Sequence, residues 1–195
     1  MTTSETLRVK LEAENVYHLA GNVLLYGGII VYPTDTLYGF GVDARNETSI
    51  NKLYKLKGSS SPFSVIAPDL NTVMSWTNLD RSDWLLVKQY LRGYTTIVLP
   101  IKEGVVHPKI MGPDGTLGIR IPAHPFGPKL THKLGFPITT TSVNRRGKQA
   151  LNNPEKIMSE FGAEIDLLVD GGNLPESSGS TVYKLEKSKL LKIRP

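Results

Sequence analysis

The 195-residue chain contains no cysteine. Disulfides, thiolate metal sites and cysteine nucleophiles are therefore excluded. No apolar run approaches the roughly 18 residues that a membrane-spanning helix needs. The opening stretch MTTSETLRVKLEAEN is polar and mixed in charge, unlike a secretory signal or a transit peptide. A cytoplasmic location is the expectation. Histidine is scarce: His18, His107, His124 and His132 show no metal-ligand spacing, and no metal site is predicted. There is no Gly-x4-Gly-Lys-Ser/Thr phosphate loop and no Gly-x-Ser-x-Gly nucleophile elbow. Aromatic residues make up only 8%, thin support for a base-stacking RNA surface.

What is present describes an ordinary globular domain. Hydrophobic residues at 39% and charged residues at 21% suit one domain over residues 1–195. The 23 Lys and Arg against 18 Asp and Glu give a net charge of +5. That excess favours an anionic partner: a nucleotide, RNA or anionic lipid. The cations are dispersed, densest at Arg145-Arg146-Gly147-Lys148 and from Lys184 to Arg194.

Periodicity predicts a helix over 12–26, with Val16, Leu19, Ala20, Val23 and Leu24 on a helical repeat before Gly27-Gly28. Asn46 can cap a second helix ending near Lys57-Gly58, and Asp80 or Ser82 a third, stopped by Gly93. Leu130 to Leu134 is weakly helical. Asn153-Pro154 opens a last helix through Phe161. Ile29 to Tyr32, FSVIAP, TTIVLP, LGIRIP, PITTTSV, IDLLVD, STVYKL and KLLKIR read as strands. The alternation predicts an α/β fold with a mixed, twisted sheet.

The stretch GGIIVYPTDTLYGFGVDA, Gly27 to Ala44, runs a buried-looking strand into proline and a hydroxyl cluster. Its Gly39-x-Gly41-x-x-Ala44 follows the strand by six residues, too late for a dinucleotide fingerprint, which begins at the strand's end. Other strand ends also carry small hydroxyls, amides and cations: Thr34, Thr36, Arg120, Ser142, Asn144, Ser180 and Thr181, with Lys57 closing the second helix. Singly these are turn and cap residues. Together they suit a polar, anionic ligand, oriented rather than attacked, since no nucleophile or general-base histidine accompanies them.

The collinear order GGIIVYPTDTLYGFGVDA, LYKLKG, TTIVLP, LGIRIP, GFPITTTSVN, DLLVDGGN, GSTVY and LLKIRP resembles the YrdC-like threonylcarbamoyladenylate synthases, in their single-domain form, over about Glu12 to Arg194. The resemblance implies a twisted open mixed sheet with helices packed on it and a large concave basic cleft. It implies condensation of L-threonine, bicarbonate and ATP, with Mg²⁺, to threonylcarbamoyl-AMP and pyrophosphate. The product would feed a tRNA threonylcarbamoyl transferase complex, and binding of tRNA or double-stranded RNA is a further possibility of the family. By the same resemblance Lys57, Ser142 and Asn144 are catalytic, with Lys57 on phosphate. Thr34, Thr36, Arg120 and Ser180, together with those three, bind threonine or ATP. Gly39 and Gly41 let backbone pass close to ligand or to neighbouring elements.

The chain departs from the family pattern at Ser59, where Lys-x-Arg would place arginine, and the Ser59–Pro62 segment looks about two residues short. Arg145 or Arg146 is the expected substitute guanidinium. Tyr94 also stands where synthases more often carry proline. The alternative function is a non-synthase paralogue that binds RNA or nucleotide. A similar domain occurs in larger hydrogenase-maturation carbamoyltransferases, whose cysteine-rich zinc modules are absent here.

Overall fold

The computed structural model describes residues 6–194. Residues 1–5, which open the polar N-terminal stretch, and Pro195, which closes LLKIRP, lie outside the described residues. Among the described residues, ten strands form one sheet: β1 (Leu7–Lys10), β2 (Ile30–Pro33), β3 (Tyr38–Gly41), β4 (Ser64–Ile66), β5 (Thr95–Pro100), β6 (Thr116–Arg120), β7 (Ile138–Ser142), β8 (Leu167–Asp170), β9 (Thr181–Glu186) and β10 (Lys189–Arg194). Their order is β1-β8-β2-β3-β7-β4-β6-β5-β9-β10. Parallel pairs (β1/β8, β2/β8, β4/β6, β5/β9) stand beside antiparallel ones, so the sheet is mixed, as the sequence predicts.

Six helices pack on it: α1 (Val16–Leu25), α2 (Glu47–Lys57), α3 (Leu70–Trp76), α4 (Arg81–Tyr90), α5 (Phe126–Leu134) and α6 (Pro154–Phe161). In α1, buried Val16, Ala20 and Leu24 recur every four residues and make one apolar stripe. The Asn46 side chain accepts the Ser49 N–H at 3.1 Å to start α2, and Gly58 ends it in the left-handed region at φ 63°. Asp80 caps α4 in the same way through Asp83 N–H, and Asn153 caps α6 through Lys156 N–H.

Strand alternation sorts the core into two layers. Ile30 and Tyr32 face α1 and α5, meeting Leu24, Phe126 and Leu130, while Val31 faces the layer that holds α2, α3, α4 and α6. Burial on both sides explains why this strand reads as a continuous apolar run. Ile66 and Ile138 belong to the α1/α5 layer. Ser64 and Thr140, two positions away on the same face, open the polar half of that surface.

Three elements escape the sequence reading. Strand β3 is the important one: Tyr38 to Gly41 is not loop but the antiparallel partner of β2, with Tyr32 opposite Gly39. Its glycines depress strand propensity, yet a Cβ at Gly41 would lie 2.8 Å from the Tyr32 ring. The glycine is there because a neighbouring side chain fills the space. Strand β1 is a short, exposed edge. Helix α3 buries only Val73 fully and, at seven residues, is too short for its apolar positions to establish a period.

Candidate functional site

The polar strand ends converge. A cavity of about 370 Å³ is lined by Thr34 and Thr36 from the β2–β3 turn, Gly39 of β3 and Ser64 of β4. Thr96 of β5, Arg120 of β6, Thr140 to Ser142 of β7, Asn144, the 177–180 segment and Arg194 of β10 complete it. Ten serine and threonine residues and two arginines face it, and among the described residues no carboxylate lines it. Such a wall selects for an anionic, oxygen-rich ligand.

Thr34 and Thr36 are both buried. The Thr34 hydroxyl is used by its own turn: it donates to Leu37 C=O at 2.7 Å and accepts the N–H groups of Thr36 and Leu37 at 3.2 Å each. The Thr36 hydroxyl makes a single contact, 3.1 Å to that of Thr34, which leaves it bonding capacity toward the cavity. On the opposite wall the hydroxyls of Thr96 and Ser180 lie 2.7 Å apart. One O–H serves that bond and the other is free for a ligand.

Asp35 does not merely form a turn. Its carboxylate pairs with the Arg120 guanidinium, both side chains almost wholly buried, and also accepts the Ala123 N–H at 2.8 Å. Arg120 Nε lies 3.5 Å from Gly93 C=O. Burial draws the Arg120 pKa down, and the Asp35 charge opposes that.

The structure places Lys57 beneath the cavity rather than on its wall. Its ammonium donates to Ser142 C=O at 2.7 Å, Asn144 C=O at 3.0 Å and Asn144 Oδ1 at 3.1 Å. All three N–H groups are thereby engaged, and burial pushes the pKa down to about 8. Asn144 Oδ1 also accepts the Ser142 hydroxyl at 2.7 Å, while its Nδ2 donates to Arg145 and Lys148 carbonyls. Lysine, serine and asparagine thus form one locked unit, with the Ser142 oxygen lone pairs left facing the cavity.

The expected substitution by Arg145 is corrected by the geometry. Its guanidinium donates to Leu56 C=O and pairs with Glu164, and it stacks over Phe161 at 5.0 Å, outside the cavity lining. Arg146 is exposed and likewise does not line it. Besides Arg120, the guanidinium that does is Arg194, whose one hydrogen bond among the described residues is to Ser180 C=O at 3.1 Å. LLKIRP contains it, but a charged residue on an edge strand carries no local sign of reaching a site. Thr96 was likewise legible only as a strand residue. Among the described residues no three His, Asp or Glu side chains gather to hold a metal ion.

A family model described as telomere recombination (Sua5/YciO/YrdC) matches residues 22–195. A Methanocaldococcus jannaschii protein provisionally named a threonylcarbamoyl-AMP synthase is 32% identical over 185 residues, covering 94% of this chain and 86% of its own. The Bacillus subtilis threonylcarbamoyl-AMP synthase is 29% identical over 179 residues, covering 90% of this chain and 52% of its own. Pyrococcus abyssi Sua5, solved with L-threonine, superposes with a TM-score of 0.86 at 26% identity, over 97% of this chain and 57% of its own. E. coli YciO superposes equally well, at 0.86 and 23% identity, over 98% of this chain and 95% of its own. The chain thus spans little more than half the length of the Bacillus and Pyrococcus proteins.

Proposed function

The chain belongs to the Sua5/YciO/YrdC family, and on that premise we propose that it is a threonylcarbamoyl-AMP synthase, joining L-threonine, bicarbonate and ATP with release of pyrophosphate. The observation that carries the reading is the cavity wall itself: two guanidiniums, one of them paired with Asp35, and two buried hydroxyl pairs, with no carboxylate among the described lining residues.

The threonine amine adds to the bicarbonate carbon, water leaves, and a carbamate forms. A carbamate oxygen then attacks the α-phosphorus of ATP, and the bond to the pyrophosphate oxygen breaks. No protein nucleophile is required. The protein's part is to hold two anions in line and to stabilise charge on the leaving group. Arg120, held in place by Asp35, takes the threonine carboxylate. Thr36 and the Thr96–Ser180 pair orient its amine and hydroxyl. Arg194 faces the phosphates, Ser142 offers its lone pairs to an N–H or O–H of the ligand, and Lys57 is a positioning residue that keeps Ser142 and Asn144 in place. Magnesium, as the counter-ion that ATP carries, would offset charge on the pyrophosphate. The product is a reactive mixed anhydride, to be consumed by a cytoplasmic transferase acting on tRNA.

The test is pyrophosphate release from ATP with Mg²⁺ and bicarbonate, with and without L-threonine, and with L-serine as control. Threonine-dependent release, with threonylcarbamoyl-AMP detected by mass, supports the reading. ATP binding without release sinks it. That outcome favours the second reading, a paralogue that binds nucleotide or RNA, to which the absence of an arginine after Lys57 lends weight.

A further inference from the structure

Three of the chain's eight tyrosines gather on one surface outside the site. Tyr90, the last residue of α4, and Tyr94, just before β5, are 41% and 63% exposed. With Gln89 and Arg92 they line a shallow cavity of about 600 Å³, which shares no residue with the site cavity. The ring of Tyr183 on β9 stands against Tyr90 with centroids 6.0 Å apart. Lys192 of β10 lies opposite Tyr183 in the antiparallel register, and directly opposed residues share a face. The sheet therefore collects what an 8% aromatic content disperses along the chain.

The charges on this surface are uncompensated. Among the described residues, neither Arg92 nor Lys192 has a carboxylate within 4.0 Å. The carboxylate behind the turn, Asp35, is already neutralised by Arg120. Wet aromatic faces bordered by free cations and an amide match the chemistry of a nucleobase strand: stacking for the bases, positive charge for the phosphates, and an amide for a base edge.

We propose that this surface binds a single-stranded nucleic acid, with successive bases stacked on Tyr94 and Tyr90 and phosphates held by Arg92 and Lys192. The inference stands apart from the synthase reading, because it concerns a different surface. The turn that carries it is nevertheless tied to the site wall. Gly93 N–H donates to Ile121 C=O at 3.0 Å, and Tyr94 C=O accepts the Thr181 N–H at 2.9 Å, next to Arg120 and Ser180 respectively. A bound strand would lie on the back of the wall that lines the cavity.

The experiment is fluorescence anisotropy of the full chain with a labelled twelve-nucleotide oligouridylate across a salt series. Two phosphate contacts predict a log–log salt slope of about −1.4, and the Arg92→Gln/Lys192→Gln variant should flatten it to near zero. Tyr94→Ala should weaken binding by about tenfold, and Tyr94→Phe, which keeps the stacking face, by less than about twofold. Tyr94 is exposed, so its variants test the surface even if Tyr90→Ala, which loses the Tyr183 contact, fails to fold. Unchanged affinity in Tyr94→Ala would overturn the proposal. So would displacement of the oligonucleotide by polyglutamate at matched charge, which would identify the surface as one for an acidic protein.

Discussion

Asp35 and Arg120, 85 residues apart in sequence, close a buried ion pair across the edge of the cavity. The pair ties the β2–β3 turn to the end of β6, and through Ala123 N–H it also fixes the segment that leaves that strand. Two distant parts of the sheet are thereby held at one spacing around the cavity.

Removing the carboxylate should be costly. In Asp35→Asn the Arg120 charge stays buried without its counter-charge, a loss of about 3 kcal/mol. For a chain of this size that is a fall of roughly 6–12 °C in Tm. The threonine KM should rise in the same variant, because Arg120 is released. Thermal melts and threonine titration of pyrophosphate release check both. An unchanged Tm would mean that the pair contributes no net stability.

Lys57 gives a pH signature. Its pKa falls from an ordinary 10.5 to about 8 on folding, by burial. Below about pH 8 both states are protonated, and the folded protein carries the full desolvation cost. Between about 8 and 10.5 the unfolded state binds more protons, so this group's contribution to stability improves as pH rises, and the gain is complete above 10.5. Activity should move oppositely, falling with an apparent pKa near 8 as the ammonium that pins Ser142 and Asn144 is lost. Lys57→Met, close in shape but without the charge, should remove this alkaline step in stability and lower turnover. Denaturant titrations and rate profiles over pH 7–10.5 read both.

Arg194 and Arg145 separate two placements of a guanidinium on phosphate. Arg194→Ala should raise the ATP KM by about tenfold to 150-fold, the worth of one charge-assisted hydrogen bond. Arg145→Ala should leave it within about twofold, since that guanidinium is committed to Leu56 and Glu164. The reverse result would relocate the phosphate contact.

Gly41→Ala tests the packing that places the site's floor. The added Cβ would sit 2.8 Å from a Tyr32 ring atom, and Tyr32 is fully buried and cannot swing aside. A loss of about 1–3 kcal/mol is expected, measured by urea denaturation. Gly58→Ala has open space around it and should cost less, its strain confined to the positive φ.

Much was legible from the chain alone, because the relevant forces are local. Apolar periodicity marked α1, and the asparagine and aspartate caps marked α2, α4 and α6. Apolar and β-branched runs marked eight strands, most clearly β2 and β8, where burial on both faces leaves a continuous apolar signature. The hydroxyl-rich strand ends signalled a polar ligand before any geometry was known, and Thr34, Thr36, Arg120, Ser142, Asn144 and Ser180 all line one cavity. What only the tertiary structure decided are relationships with no local signature. Strand β3 is fixed by pairing with β2 and β7, and its Gly41 is required because Tyr32 fills the room beside it, a contact that propensity does not encode. Lys57 supports the site from below instead of facing it, and Arg194 rather than Arg145 reaches the cavity. In each case the choice of which charge is spent on backbone and which is left for ligand was made by sheet register, which brings residues from opposite ends of the chain within hydrogen-bonding distance.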